Sequence, residues 1–543
     1  MIKTGKVLSL GAVAALGVLS AEAAFKMDKS VMSEKYWQVW NPDVQKRIDA
    51  DIEKYRKTDA SVEVEAPAGT EVKVEQIGHA FYFGAHIFNY GQLGKKEWND
   101  RYKELYGTLF NSATVAFYWR TLEKYPCAPR FEERYEDTEN FWNSCPQPKE
   151  QDHWRRPAVD PVINFCRSRG VRIHGHPLVW GNNAWQRPTW IWDMYCPESE
   201  KRALEARTGV RVPSQNWKIG MGTRDMENAG YGPGGWNWAW NQIYKQLSEE
   251  EIAAIVPTFV ANYRKFLEKR IRDIGERYGE LVDSWDVVNE SAGDYHNHQG
   301  EKAVRGGVCQ KSGYGLMPAD YTYWGFKWTM QYMPKTAWLN LNDYCMEPYF
   351  FKQAKDLEAN GCRVDVVGAQ MHLFNPAESV RIAAGEYASE KIRLQVHPEG
   401  VARRFQILSQ AQKPIHLSEI TITAPDNSPR GQMIQAIIMR DLYRAWFSVE
   451  RMCGITWWNI VDDCGAPGEP SISGLFTRDM RPKTASYAMD DLINREWRTQ
   501  CEVKVKGEGE QRKTVSFRGF RGRYRLSWKG ADGKEVSKIV EVT

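Results

Sequence analysis

The 543-residue chain lacks the charge imbalance and the sequence motifs that would assign it to several large functional classes. Its 73 basic residues nearly balance its 69 acidic ones, so we expect no nucleic-acid partner. Neither a Cys-x-x-Cys pair nor a His-rich spacing indicates a metal site, and we expect no cofactor. No Gly-rich phosphate-binding turn follows the first predicted strand, which argues against a dinucleotide-binding fold.

Long apolar runs are also missing, apart from one at the N-terminus. Lys3 and Lys6 precede a short apolar stretch at residues 7–20, and Ala21-Glu22-Ala23 supplies the small residues of a cleavage site. The alternative is an uncleaved membrane anchor, but the stretch is too short to span a bilayer comfortably. We therefore expect residues 1–23 to be a signal peptide and the protein to be secreted or periplasmic, without a membrane span.

Cysteine is too scarce for a disulfide scaffold, with ten residues in the whole chain. Cys127 and Cys145 flank a polar insertion, and Cys453 and Cys464 bracket a short loop. Pairing within either couple is a hypothesis only, because sequence does not fix disulfide connectivity.

What the chain does contain is a series of short apolar runs separated by amphipathic stretches. The alternation of such strands with helices predicts parallel β/α units. The strands are apolar on both faces, which favours a closed (β/α)₈ TIM barrel over an open doubly wound sheet. The eight predicted strands are residues 79–85, 112–118, 171–180, 281–290, 336–343, 363–372, 414–420 and 454–461.

Polar residues gather at the carboxyl ends of five of these strands, where barrel enzymes place their catalytic groups. A single polar residue of this kind is often a satisfied core group, but five strands ending in this way are hard to explain by packing. The residues are Asn289 and Glu290, Asn342 and Asp343, Gln370 and His372, Glu419, and Trp457 with Asn459.

Two flanking segments have a different pattern, in which valine alternates with charged residues. Residues 60–77 suggest a β-hairpin around a Pro-Ala-Gly turn, and residues 501–543 show the same alternation of apolar and charged residues. We predict that the segments 24–78 and 498–543 form one small accessory β domain beside a barrel at 79–497. Carbohydrate binding and a purely structural cap are both open as roles for it.

The stretch "VDSWDVVNE" ends a buried strand on an amide and an acid, Asn289 and Glu290. Glycoside hydrolysis requires two carboxyl groups on opposite sides of the bond that is cleaved. Glu290 ends the fourth predicted strand and Glu419 ends the seventh, so their side chains can converge over the barrel mouth. We interpret them as the catalytic pair.

Five motifs in this order resemble glycoside hydrolase family 10, the β-1,4-xylanases, over about residues 79–495. They are "HGHPLVW", "WDVVNE", "NDY", "GAQMH" and "HLSEI", and the tail "SGLFTRDMRPKTASYAM" resembles the closing segment of that family. The resemblance implies a retaining hydrolase of xylan or a related plant polysaccharide, working by double displacement. We expect a monomer that acts on a polysaccharide or oligosaccharide.

The resemblance also implies a role for each matching residue. Glu290 matches the acid/base and Glu419 the nucleophile, while Asn289, His372 and Gln370 match the groups that support them. The residues that match the sugar-binding set are His176, Trp180, Asn342, Trp457 and Arg120. For His176 the alternative is a buried histidine with a structural role, and for Trp457 it is barrel core.

The second strand departs from the family pattern. Ala116 and Phe117 stand where the family carries a Glu-Asn pair, Gly181 replaces a histidine and Thr421 replaces an acid that supports His372. Loss of the Glu-Asn pair removes hydrogen bonds to the next sugar, each worth on the order of 1–3 kcal/mol. The pattern indicates a different or decorated β-glycan as an alternative substrate.

A tryptophan-rich insertion follows the third strand, at residues 181–242. It either forms a new substrate wall or packs a small core of its own. A third functional hypothesis, a barrel that binds carbohydrate without catalysis, is disfavoured because both carboxylates and His372 are present. The insertion contains Trp185, Trp190, Trp192, Trp217, Trp236, Trp238 and Trp240.

Overall fold

The computed structural model describes residues 25–123, 126–132, 157–181, 188, 190–212, 236–299, 309–312, 315–466, 469–507 and 512–543. The predicted signal peptide, Cys145, Trp185 and Trp217 lie outside these residues. Seventeen strands are found among them. They are β1 (Lys57–Glu63), β2 (Glu71–His79), β3 (Tyr82–His86), β4 (Ser112–Ala116), β5 (Arg172–His176), β6 (Val179–Trp180), β7 (Ser284–Asn289), β8 (Cys309–Ser312), β9 (Gly315–Pro318), β10 (Trp338–Asp343), β11 (Val366–Leu373), β12 (Ile415–Ile422), β13 (Met452–Trp457), β14 (Gln500–Lys504), β15 (Thr514–Phe520), β16 (Gly522–Lys529) and β17 (Glu535–Val542).

Eight parallel strands close into a barrel, as the sequence predicts. The order is β3, β4, β5, β7, β10, β11, β12 and β13, and β13 pairs with β3 to complete the ring. The short strand β6 continues the third predicted strand and pairs with the end of β7. All residues of β4, β7 and β12 are buried, as expected for strands covered on both faces.

Helices surround the barrel, and several of them begin at a residue whose side chain caps the helix. Ser428 caps the helix Pro429–Phe447 by accepting a hydrogen bond from the Gly431 N–H, and Pro429 occupies its first turn. The helices of the barrel and its loops span Lys96–Glu104, Trp119–Leu122, Val159–Ser168, Trp190–Tyr195, Glu198–Thr208, Trp236–Tyr244, Glu249–Ile255, Pro257–Tyr278, Ala292–Gln299, Tyr321–Tyr332, Pro348–Ala359, Pro376–Ala383, Glu390–Val396, Pro398–Ser409, Pro429–Phe447 and Thr484–Asp490, the last continued by a π-helix at Asp491–Glu496.

The N-terminal segment is largely helical, which the sequence analysis did not predict. A 3₁₀ turn at Lys29–Val31 and helices at Glu34–Val39 and Pro42–Arg56 precede β1. Tyr36 is buried and donates a hydrogen bond to Asp441 at 2.7 Å, which ties this segment to a barrel helix.

The accessory β structure does form from both ends of the chain, but the predicted hairpin within residues 60–77 is wrong. β1 pairs with β15, whereas β2 lies between β14 and β16 in a separate four-stranded sheet with β17. Each N-terminal strand therefore pairs with C-terminal strands instead of its neighbour. A separate apolar core joins the two sheets, with Val72, Val74, Val515, Tyr524 and Leu526 at its centre.

The tryptophans of the insertion that the structure describes with their side chains mostly pack a core. Trp190, Trp192 and Trp240 are buried, and Trp192 and Trp240 both contact Phe259 of the helix Pro257–Tyr278. Trp238 is exposed. For these residues the structure favours the interpretation as a local core over that as a substrate wall.

The hypothetical bond between Cys453 and Cys464 is not formed, since both are free thiols. Among the described residues, no helix is both long and apolar enough to cross a membrane.

Candidate active site

The two predicted catalytic carboxylates lie at one end of the barrel, on strands placed there by register. Glu419 lies on β12 beside Gln370 of β11, and Glu290 directly follows β7. Glu290 adopts a left-handed backbone conformation with φ of 55°, which is uncommon for a residue with a Cβ atom. The strand therefore ends abruptly at the residue whose side chain enters the site.

A single amide group joins the two carboxylates. Gln370 Nε2 lies 3.3 Å from Glu290 Oε1 and 3.0 Å from Glu419 Oε1. The two oxygens can be separated by no more than the sum of these distances. That limit is compatible with the roughly 5–5.5 Å between the carboxyl groups of retaining glycosidases.

Asn342 supports Glu419 from below the site. It is fully buried, and its Nδ2 donates to Glu419 Oε1 at 2.9 Å and to Asn289 Oδ1 at 2.7 Å. This geometry corrects the expectation that Asn342 binds substrate, since it orients the carboxylate instead. Gly368 of β11 leaves it room, because a Cβ there would stand 2.3 Å from Asn342 Oδ1.

His176 is a buried neighbour of Glu419, and the charges around it favour its protonated form. Its Nδ1 lies 2.8 Å from Asp286 Oδ2 and its Nε2 lies 3.8 Å from Glu419 Oε1. Burial lowers the pKa of His176, but the bond to Asp286 and the charges of Glu419, Asp286 and Glu290 leave the pKa above its usual value. Asp286 also lies 2.9 Å from His174 Nε2.

Asp286 is held ionised by these two histidines. Burial acts to raise the pKa of the Asp286 carboxyl, but the charges and hydrogen bonds of His174 and His176 outweigh it and leave the pKa well below the usual range. The result is a buried charged pair directly behind the candidate nucleophile.

His372 approaches Glu419 from the other side. Its Nε2 lies 3.6 Å from Glu419 Oε2, and its Nδ1 lies 2.9 Å from Thr421 Oγ1. The substitution of Thr421 for an acid was expected to remove support from His372. The hydroxyl preserves a hydrogen-bond partner at this position, so only the negative charge is lost.

A cavity of about 520 Å³ opens above the carboxylates. Trp180 lines it, and the indole Nε1 donates to Glu290 Oε2 at 3.1 Å. Further lining residues are Tyr118, His176, Asn289, Glu290, Tyr344, Gln370, His372, Phe374, Lys391, Gln395, Glu419, Trp458, Ala466 and Glu469. Seven of the ten predicted site residues thus line the cavity, namely His176, Trp180, Asn289, Glu290, Gln370, His372 and Glu419.

The remaining three predicted residues, Asn342, Trp457 and Arg120, do not line this cavity. Trp457 is fully buried, packs against Tyr443 and donates its Nε1 hydrogen to the Asn459 carbonyl, so its assignment as the floor of the site is wrong. The neighbouring Trp458 lines the cavity instead, because successive residues of an extended segment point to opposite faces. Arg120 lies in the short helix Trp119–Leu122.

The altered second strand lies behind the cavity surface. Phe117 is fully buried and packs edge-on against Trp285 and Tyr278, so its side chain belongs to the core and does not face the cavity. Ala116 belongs to a small buried cluster with Phe88, Tyr118 and Trp458, against which Trp180 packs. We call these five residues the aromatic wall.

Gly181 also has a structural explanation. It is buried, and a Cβ at this position would stand 2.5 Å from Ser312 Oγ at the end of β8. The β8–β9 hairpin therefore fills the space that a histidine side chain would need.

Another carboxyl group, that of Asp343, lies close to Glu290. Asp343 is buried at the end of β10, and burial raises its pKa to about 7. The N–H groups of Ala292 and Cys345 donate to Asp343 and oppose this shift, whereas the charges of Glu290 and Asp294 add to it.

Several residues of the site were not predicted from the sequence. Asp286 occupies the middle of a strand, and Tyr118, Trp458 and Glu469 carry no motif that marks them. One signal in the sequence points to Trp458. Side chains alternate in direction along an extended segment, and Trp458 directly follows the predicted Trp457. Within the described residues, no group of three or more acidic, histidine or cysteine side chains is arranged to hold a metal ion.

Comparison with known proteins agrees with this geometry. Residues 236–492 match the model of glycosyl hydrolase family 10. An endo-1,4-beta-xylanase C from Paenibacillus barcinonensis is 25% identical over 454 residues, which are 79% of this chain and 33% of that protein. An endo-1,4-beta-xylanase A from Halalkalibacterium halodurans is 25% identical over 232 residues, which are 42% of this chain and 43% of that protein.

The chain is a divergent relative of family 10. It spans less than half the length of these two curated relatives. The range that matches the family 10 model contains β7 and β10 to β13 with both carboxylates, whereas β3, β4 and β5 precede it. The family likeness is thus concentrated on the strands that carry Glu290 and Glu419.

Structural comparison matches this chain to solved structures that include the following two. The structure of GH10 from Paenibacillus barcinonensis has 17% identity and a TM-score of 0.45, covering 77% of this chain and 96% of that chain. Xylanase B from Clostridium stercorarium F9 has 17% identity and a TM-score of 0.45, covering 76% of this chain and 97% of that chain. At these TM-scores the likeness supports no further argument.

Proposed function

We propose that the protein is a retaining glycoside hydrolase that cleaves β-1,4-xylosidic linkages in xylan or a related plant polysaccharide. The observation that carries this proposal is the placement of Glu290 and Glu419 around one amide nitrogen, Gln370 Nε2, at the base of an open cavity. The named xylanases among its relatives support the choice of xylan.

In the first step, Glu419 attacks the anomeric carbon while Glu290 donates its proton to the departing oxygen. A glycosyl-enzyme ester forms and the glycosidic bond breaks. In the second step, Glu290 removes a proton from water as the water attacks the anomeric carbon. The ester bond to Glu419 breaks, and the sugar product keeps the stereochemistry of the substrate at the anomeric carbon. Protonated His176, backed by Asp286, favours the ionised form of Glu419 that the first step needs.

The same machinery acting on a different or decorated β-glycan is the second candidate. The aromatic wall favours it, because Ala116 lies in a buried cluster where a family xylanase has a hydrogen-bonding acid. A xylose unit of plain xylan would find no polar partner at Ala116.

The test is the release of reducing sugar from xylan, glucan and mannan by the wild type and by Glu419→Ala. Hydrolysis of xylan above the variant's background supports the first candidate, and preferential hydrolysis of another glycan supports the second. Binding of a glycan without any turnover by the wild type would overturn both and indicate a non-catalytic carbohydrate-binding barrel.

Export and a monomeric state stay predictions from the sequence. We propose secretion or a periplasmic location from residues 1–23, which lie outside the described residues. Fractionation of cells that express the full chain, with N-terminal sequencing of the product, tests it: cleavage near Ala23 is expected, and an intact cytoplasmic chain would contradict it.

A further inference from the structure

The two sides of the cavity differ in a way that bears on which part of a glycan can bind. On one side, four members of the aromatic wall stand next to Glu419 through His176, namely Phe88, Ala116, Tyr118 and Trp458. The fifth member, Trp180, reaches across to Glu290. The ring of Tyr118 lies 5.5 Å from that of His176, and the ring of Trp458 lies 5.6 Å from it, both edge-on. Since His176 Nε2 is 3.8 Å from Glu419, the wall begins immediately beyond the nucleophile.

The wall is closely packed. Phe88 contacts both Tyr118 and Trp458, with ring centroids 5.8 Å and 5.1 Å away, and Tyr118 contacts Trp180 at 5.9 Å. Phe88 is 1% exposed and Tyr118 and Ala116 are each 8% exposed, so the described residues leave no groove between them. Tyr118 and Trp458 line the cavity, whereas Phe88 and Ala116 lie behind them.

A fixed carboxylate stands at the same end of the cavity. Glu469 accepts hydrogen bonds from Trp458 Nε1 at 3.2 Å, from Asn459 Nδ2 at 2.9 Å and from the Ala466 N–H at 2.6 Å. It is half-buried and lines the cavity.

On the side of Glu290 the cavity continues. A second cavity of about 670 Å³ shares Glu290, Tyr344 and Lys391 with the first. One aromatic residue stands open at this side of the mouth, since Tyr344 is 48% exposed and lines both cavities. Exposed aromatic faces of this kind offer stacking surfaces for sugar rings.

Because Glu290 protonates the departing oxygen, the open side receives the leaving group and the walled side receives the sugar that is attacked. We infer that the site holds a single sugar on the Glu419 side and several on the Glu290 side, and so removes one sugar at a time from the non-reducing end of a β-linked chain. This inference rests on the proposed function. It adds the end of the chain at which cleavage occurs and the number of sugars bound on each side of the cleaved bond.

The first experiment uses the full-length wild type and β-1,4-linked xylo-, gluco- and manno-hexaose labelled at the reducing end. In the first few per cent of turnover, the expected labelled product is the pentamer alone, with free monosaccharide released. Labelled fragments of several lengths from the start would overturn the inference while leaving the proposed function intact.

A second experiment compares nitrophenyl β-glycosides that carry one or two sugars of the hydrolysed type, followed as release of nitrophenol. We expect kcat/KM to be at least tenfold lower for the disaccharide, because its outer sugar meets the wall. Equal rates, or a faster disaccharide, would contradict the inference.

Removal of part of the wall should reverse that preference. Tyr118→Ala is expected to raise the disaccharide-to-monosaccharide ratio at least tenfold, whereas Trp238→Ala, which alters an exposed tryptophan of the insertion, should leave it unchanged. If the folded Tyr118→Ala protein keeps the disaccharide-to-monosaccharide ratio of the wild type, the aromatic wall does not exclude the second sugar. If the wild type cleaves none of these substrates faster than Glu419→Ala does, the proposed function itself fails and this inference fails with it.

Discussion

The centre of the site and its rim are built on different principles. At the centre, Glu419, Gln370 and Asn342 come from neighbouring parallel strands and meet through hydrogen bonds of 3.0 Å and 2.9 Å. At the rim, Phe88, Tyr118 and Trp458 come from three separate segments and meet through ring packing. The comparison shows that strand register fixes the position of the chemistry, while packing of large side chains determines how much substrate can enter.

The largest effect is expected from removal of Glu419, the proposed nucleophile at the centre of the site. We expect Glu419→Ala to lower kcat by about 10⁴-fold or more with no loss of the fold, because loss of a nucleophile removes the covalent route. Azide should restore cleavage with the inverted product. Glu399→Ala, on an exposed helix surface, serves as the control. Near-normal turnover by Glu419→Ala would remove this residue from the mechanism.

A substitution in the core behind the rim should lower the stability of the protein and leave its catalytic rate almost unchanged. Phe117→Ala empties a fully buried site between Trp285 and Tyr278 and should lower the free energy of unfolding by about 3–5 kcal/mol. Denaturant titration measures this, and kcat per folded molecule should change little. A loss below about 1 kcal/mol would mean that the ring is not part of the core.

The orientation of Glu419 by Asn342 can be tested without replacing a polar side chain. Gly368→Ala places a Cβ 2.3 Å from Asn342 Oδ1 and should displace the amide that orients Glu419. A misplacement of this kind is expected to lower kcat by about 10²-fold. The control is Gly78→Ala in the accessory sheet, where the nearest atom is Arg523 Cβ at 3.5 Å. Equal kcat for both variants would show that Asn342 has no orienting role.

The smallest expected effect concerns Asp343, whose pKa of about 7 is raised by burial. The folded protein holds this proton up to about pH 7 and the unfolded chain loses it near pH 4, so stability should fall as pH rises between these values. The contribution is about 2 kcal/mol between about pH 5 and pH 7.

Asp343→Asn should flatten that part of the stability profile, measured by denaturant unfolding at a series of pH values. Asp441 and Asp462 also have raised pKa values of about 6, so the slope of the wild type contains their contributions as well. The informative quantity is therefore the difference in slope between the two proteins. Parallel profiles would contradict the shift assigned to Asp343.

Much of the barrel could be predicted from the sequence because each strand is a short apolar run, and five of the eight runs end in polar residues. All eight predicted runs contain a barrel strand, and Glu290 and Glu419 lie where their strand ends predict. The helices at Glu34–Val39 and Pro42–Arg56 were missed. The hairpin at residues 60–77 was wrong because alternation of valine and charge identifies strands without identifying their partners.

The sequence alone determined the order of the elements, the family likeness and the identity of the two carboxylates, since these depend on local pattern and spacing. Only the tertiary structure decided that Trp458 and not Trp457 faces the cavity, that Phe117 is core, and that Asn342 orients Glu419. The physical reason is that the direction of a side chain depends on the backbone at the strand end and on which distant groups occupy the neighbouring space. Ser312 at Gly181 is one such group, separated from it by more than a hundred residues of chain.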